Sequence, residues 1–181
     1  MTTYVALLYS IVIDKTRRVV MADLRAIAEK FGHKNTRTLV STGNLIFDTN
    51  ESSIPALEAG LENAFADFHG KRVDIIIRTA DQWRKLVASN PFPEESAANP
   101  NQVAVRIMRE PAEETVLDLF KPYQTAGEQV RLINGDVWIA FPGQPSQSKL
   151  LGVLTPKRMG GVGTARNWNT VRRIGEMVEE G

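Results

Sequence analysis

The sequence predicts an α+β fold made of two similar halves, and three observations carry that expectation. Up to residue 88, apolar positions switch in turn between the two-residue period of strands and the 3.6-residue period of helices. Residues 89–101 then hold three prolines and no periodicity. Beyond them the same alternation starts afresh.

Tyr4 to Ile13 is apolar on both faces, as expected of a central strand. Leu24, Ile27, Ala28 and Phe31 recur at i, i+3, i+4 and i+7, which predicts an inward helical stripe ended by Gly32. Arg37 to Val40 and Leu45 to Phe47 flank Thr42-Gly43-Asn44, a hairpin-like turn. Leu57, Leu61, Ala64, Phe65 and Phe68 form the next stripe, with Pro55 in its first turn and Gly70 after its end. Val73 to Ile77 reads as a strand. Thr79-x-x-Gln82 then reads as a capping box that opens a helix with Trp83, Leu86 and Val87 inward. The order β-α-β-β-α-β, with a trailing helix, is the ferredoxin-like plan of an antiparallel sheet with helices on one face.

Residues 89–101 are expected to be a linker. In the second half Val103, Val105 and Ile107 alternate as a half-buried strand, and Pro111 is read as opening a helix with Val116, Leu117 and Phe120 as its stripe. Val130 to Ile133 and Val137 to Phe141 flank Asn134-Gly135, a strong signal for a two-residue hairpin. After Phe141 the match to the first half weakens. A short helix around Gln147–Leu151 capped by Ser146, a Gly-rich stretch, and a last helix from about Asn167 to Val178 are expected. The predicted organisation is a ferredoxin-like half at 1–88, the linker, and a second such half with a terminal helix at 102–181, packed as one unit.

Composition narrows the function classes. A net charge of +1 and 24% charged residues select no strongly polyanionic partner for the chain as a whole. The absence of cysteine removes disulfides, thiolate metal sites and a cysteine nucleophile. His33 and His69 each sit beside a glycine at a predicted helix end, which suits a structural role, so no metal site and no cofactor are expected. The apolar run Tyr4 to Ile13 is far shorter than the roughly 20 residues that span a bilayer. A soluble, cytoplasmic protein is the expectation. Glu94-Glu95, Asp23 and Asp81 read as solvated or helix-start acids, and no pair nominates a general acid and base.

Several local strings are distinctive: Tyr4-Val5-Ala6-Leu7-Leu8, Met21-Ala22-Asp23-Leu24-Arg25, Gly43-Asn44, Asn90-Pro91-Phe92, and Thr164-Ala165-Arg166-Asn167-Trp168-Asn169-Thr170. Together they resemble the bacterial family of domain of unknown function 1697, from the first residues to the last helix. The resemblance implies the tandem ferredoxin-like fold and implies no activity. Family members commonly carry Arg-Gly-Ile-Asn-Val-Gly-Gly after the first strand, where this chain has Tyr9-Ser10-Ile11-Val12-Ile13-Asp14-Lys15. A basic, Gly-rich loop can offer backbone N–H groups to an anion, and an apolar run does so less readily.

The richest candidate site lies between Asp136 and Glu176, where Lys149, Lys157, Arg158, Arg166, Arg172 and Arg173 occur with no acid among them. Gly160, Gly161 and Gly163 precede Asn167, Asn169 and Thr170, where the last helix is expected to begin. A glycine loop running into a helix N-terminus with arginines nearby is a sound anion site. Lys157, Arg158, Gly161, Gly163, Arg166, Asn167, Asn169 and Thr170 are therefore the candidate ligand residues, for nucleic acid or a phosphorylated small molecule. The competing reading makes Asn167 a helix cap and Trp168 a core residue, with Arg166 paired elsewhere in the fold. Ser146-Gln147-Ser148-Lys149 fits Ser-x-x-Lys, but neither partner motif of penicillin-recognising enzymes occurs. An RNA-binding sheet would display stacking aromatics. Trp138 lies opposite in face to Val137, Ile139 and Phe141, which leaves it either exposed for stacking or covered by the other half, and the RRM signature is absent. The leading expectation is thus a non-catalytic binding module. An enzyme acting on a small anionic metabolite in a cleft between the halves, with Arg166 and Asn167 orienting it, is the alternative, and a protein–protein adaptor a third.

Overall fold

The computed structural model describes residues 1–39 and 42–181, so Val40, read as the end of a strand, lies outside the described residues. The elements are β1 (Thr2–Leu8), α1 (Met21–Lys30), β2 (Lys34–Leu39), β3 (Asn44–Thr49), α2 (Ile54–His69), β4 (Ile75–Thr79), α3 (Ala80–Ala88), α4 (Pro93–Ala98), β5 (Val103–Met108), α5 (Val116–Phe120), β6 (Gln129–Ile133), β7 (Asp136–Ala140), α6 (Pro156–Met159), β8 (Gly163–Asn167) and α7 (Trp168–Glu179). They divide into two compact units, Met1–Lys85 with Arg173–Gly181, and Leu86–Arg172.

Each unit holds one four-stranded antiparallel sheet. The order is β2-β3-β1-β4 in the first and β6-β7-β5-β8 in the second, the same ferredoxin-like order twice. In the first unit α1 and α2 pack Leu24, Ile27, Leu57, Leu61 and Phe65 on Tyr4, Leu45 and Phe47. Ser53 caps α2 by accepting from the Ala56 N–H, Pro55 stands in its first turn, and Gly70 ends it in the left-handed conformation. The capping box of α3 is reciprocal: Gln82 N donates to Thr79 Oγ1 at 3.1 Å and Thr79 N to Gln82 Oε1 at 2.9 Å.

In the second unit Asn134 and Gly135 have φ of 51° and 83°. Two consecutive positive φ values define the tight turn whose twist matches paired strands, and Gly135 takes its value without strain. Leu150 and Val153, from a segment of 3-10 turns, join Val116, Phe120 and Ile139 in the core, where a second helix would otherwise pack.

Several expectations need correction. β1 stops at Leu8, and Tyr9 and Val12 beyond it are exposed. Residues 89–101 carry a short helix, α4, with Phe92 at its N-cap position and no side-chain cap. Pro111 precedes α5 without opening it, because Ala112 N donates to Gly135 O across the hairpin turn and α5 begins only at Val116. Ser148, rather than Ser146, caps the 3-10 turn at Lys149–Gly152 by accepting from Leu150 N. Trp138 is fully buried, since all of β7 is covered on both faces. Phe31 and Phe68, read as inward, are 50% and 57% exposed. The Gly-rich stretch ends in a strand, β8, that stands between the glycines and α7.

Candidate functional site

The second unit contains a cleft of about 470 Å³ between the segment entering α5 and the end of α6. Its floor is apolar, with Met108 on β5, Val116 on α5 and Met159 on α6, all buried. Glu110, Glu113 and Arg158 line it as well. α6 is a single turn fixed at both ends. Thr155 Oγ1 accepts from Arg158 N at 3.4 Å, and Gly160, with φ of 71°, reverses the chain. Arg158 is thereby set opposite Tyr123, which closes the 3-10 turn Lys121–Tyr123.

The guanidinium carbon of Arg158 lies 5.7 Å from the Tyr123 ring centroid, and Nη1 donates to Tyr123 Oη at 3.1 Å. A cation over an aromatic face with a hydrogen bond at its edge loses much of its rotational freedom. Among the described residues its side chain makes no other hydrogen bond, so four of its five N–H donors face solvent or a ligand. Gly161 lines the same cleft, with Met108 Cε 3.6 Å from where its Cβ would stand.

The eight predicted ligand residues separate. Arg158 and Gly161 meet at the cleft, and Lys157 is exposed beside Arg158 on α6. Gly163 is a packing glycine: a Cβ there would come 2.7 Å from Met108 Sδ and 3.0 Å from Ile107 O. Arg166 is 8% exposed, and its Nη1 donates to Thr164 Oγ1 at 2.7 Å and Ala165 O at 2.9 Å. Burial pushes its pKa down to about 10, which leaves it charged at neutral pH. Asn167 caps α7, accepting from Thr170 N at 2.9 Å. Asn169 accepts from Arg172 Nη2 at 3.4 Å.

Asn167, Asn169 and Thr170 therefore organise the first turn of α7, and β8, which ends at Asn167, lies between that turn and Gly160 and Gly161. The continuous glycine-to-helix anion loop read from the sequence is not formed. Tyr123, Met108, Met159, Glu110 and Glu113 were not among the candidates, and no local motif marks them. They meet only because β5, α5 and α6 pack together.

Among the described residues no group of three His, Asp or Glu could hold a metal ion, and no helix is long and apolar enough to cross a membrane. Comparison with curated proteins finds no match. Among solved structures, the conserved bacterial protein SP0830 from Streptococcus pneumoniae is similar over 99% of both chains, with a TM-score of 0.76 and 22% identity. At that identity the likeness is one of fold. A family match covers residues 1–138, and by it the chain belongs to the family described as Protein of unknown function (DUF1697).

Proposed function

We propose that the protein is a non-catalytic binding module that holds a small phosphate-bearing molecule in the cleft of the second unit. The observation that carries this reading is Arg158, fixed over Tyr123 at the edge of an apolar floor with donors to spare. A guanidinium so held suits a phosphate, which it can grip by two parallel hydrogen bonds. Met108, Met159 and Val116 offer an apolar surface to the body of the ligand. Glu110 and Glu113 repel a second anion and favour hydroxyl or amine donors at that side. The volume lies within the range of small-molecule sites, about 300–1,000 Å³.

Two observations favour a small molecule over a polynucleotide. One arginine shares the cleft with two carboxylates, a poor footprint for a phosphate backbone. Trp138, the aromatic that could have stacked a base, has no exposed surface.

The test is calorimetric titration with inorganic phosphate, a sugar phosphate and a nucleoside monophosphate, for wild type and Arg158→Ala. Saturable binding to at least one is expected in wild type. Arg158→Ala should weaken it by roughly tenfold or more, the scale of a charge-assisted hydrogen bond, and Arg158→Lys should fall between. No binding, or equal binding by Arg158→Ala, overturns the reading. Affinity that grows with oligonucleotide length and falls steeply with salt would replace it with nucleic-acid binding.

A further inference from the structure

The first unit has a second concavity, a groove of about 680 Å³ along the outer side of α1 and α2. Ala26, Gly60 and Ala64 form its small-residue floor. The two exposed phenylalanines, Phe31 and Phe68, both line it. Phe31 lies directly on the α2 backbone, since a Cβ on Gly60 would stand 2.6 Å from its Cζ. Helical periodicity would turn both rings inward, yet half or more of each is open to solvent.

α1 follows β1 and α2 follows β3, and these strands are antiparallel, so the returning helices are antiparallel too. Lys30 and Phe31, at the end of α1, sit by Gly60. Asp67 and Phe68 stand seven and eight positions further along α2, about 10 Å away at 1.5 Å per residue. Each end of the groove thus pairs one aromatic ring with one charge, positive at one end and negative at the other.

We infer that this face joins two copies of the chain about a two-fold axis through the middle of the groove. A two-fold rotation exchanges the ends. Lys30 of one copy then meets Asp67 of the other, Phe31 meets Phe68, and the same contacts recur at the far end, as a self-complementary interface requires. The opposite charges select a second copy over a strongly acidic or basic partner, which would be repelled at one end. Two helices side by side, the longer about 24 Å, offer on the order of 500 Å² per copy. That is below the roughly 800 Å² per partner of a standard interface, so the dimer is concentration-dependent.

Sedimentation equilibrium of the full chain across a wide concentration range tests this, with circular dichroism to verify folding of each variant. Wild type is expected to show a monomer–dimer equilibrium. Lys30→Glu and Asp67→Lys should each weaken it on the order of tenfold, because each reversal is counted at two symmetric contacts. The double variant Lys30→Glu/Asp67→Lys should recover wild-type association. Phe68→Ser should remove it. A wild type that stays monomeric to about 1 mM, an association indifferent to these changes, or a double variant that fails to recover overturns the proposal.

Discussion

His33 lies with its ring stacked on Phe47, 4.3 Å between centroids, and only 4% of it reaches solvent. Burial lowers its pKa below the ordinary histidine value of 6.5. The neutral ring is therefore the form the fold accepts. Its contribution to stability is complete above the unfolded-state pKa and is lost as pH falls through the lower folded-state value. Melting temperature should drop between pH 7.5 and 5.5, and His33→Phe, which keeps the stack without a proton site, should drop less. His69, also lowered chiefly by burial, supplies a residual slope in that variant. Equal slopes would mean that His33 does not titrate against folding. The sequence placed both histidines at helix ends, and that much was legible. It could not separate Arg158 from Arg166, because the difference lies in β8, where Arg166 pairs with Val105 and is buried, while Arg158 on α6 is exposed.

At the scale of elements, periodicity found α1, α2, α3 and α7 and most strands because their apolar stripes are long, and it missed the short helices α4 and α6, which have none. It failed on β8, whose Gly-Thr-Ala-Arg-Asn has little strand propensity and owes its place to pairing with β5. It also gave no hint that α2 protects a sheet edge. Glu58 and Glu62, one turn apart on α2, are buried. Glu58 Oε1 accepts from Ile77 N at 3.0 Å and Glu62 Oε1 from Ile75 N at 3.0 Å. Those amides belong to the edge strand β4 and would otherwise be open to pairing with another chain. Arg72 donates to the other oxygen of Glu62 at 2.8 Å. Replacing Glu58 by Ala leaves the Ile77 amide buried without its acceptor, at a cost of about 1–3 kcal/mol. Urea unfolding should show that loss, and Glu58→Gln, which keeps a carbonyl oxygen, should recover part of it. A Glu58→Ala midpoint equal to wild type would show that solvent or another group replaces the carboxylate.

Across the whole molecule the sheets repeat more closely than the sequence suggests. Arg37, Ile46, Val5 and Arg78 stand in one cross-strand row of the first sheet. Arg131, Trp138, Val105 and Arg166 stand in the matching row of the second. Both rows place arginine on the two edge strands and a valine, Val5 or Val105, on the central strand that pairs with the closing edge strand. Each closing strand also ends in a capping residue, Thr79 or Asn167, that opens a helix. The repeat was visible as alternating periods and hidden as identities, because three-residue agreement spread over four strands appears only once register is fixed.

The repeat is broken by the chain's end. α7 starts in the second unit, while Arg173–Gly181 belongs to the first. There Arg37 Nη1 donates to Met177 O at 2.7 Å and Arg84 pairs with Glu179. Ile174 in this segment is fully buried. A cavity at Ile174→Ala costs about 2–5 kcal/mol in a packed site, and the loss belongs to the unit that holds the residue. Native-state hydrogen exchange of Ile174→Ala should quicken amides of β1 and β3 more than those of β5 and β7. The β1 and β3 amides are the reporters because both strands are central in the first sheet and exchange only on larger openings. Equal acceleration in both sheets would mean that the two units open together and that the last turns of α7 serve the molecule as one cooperative body.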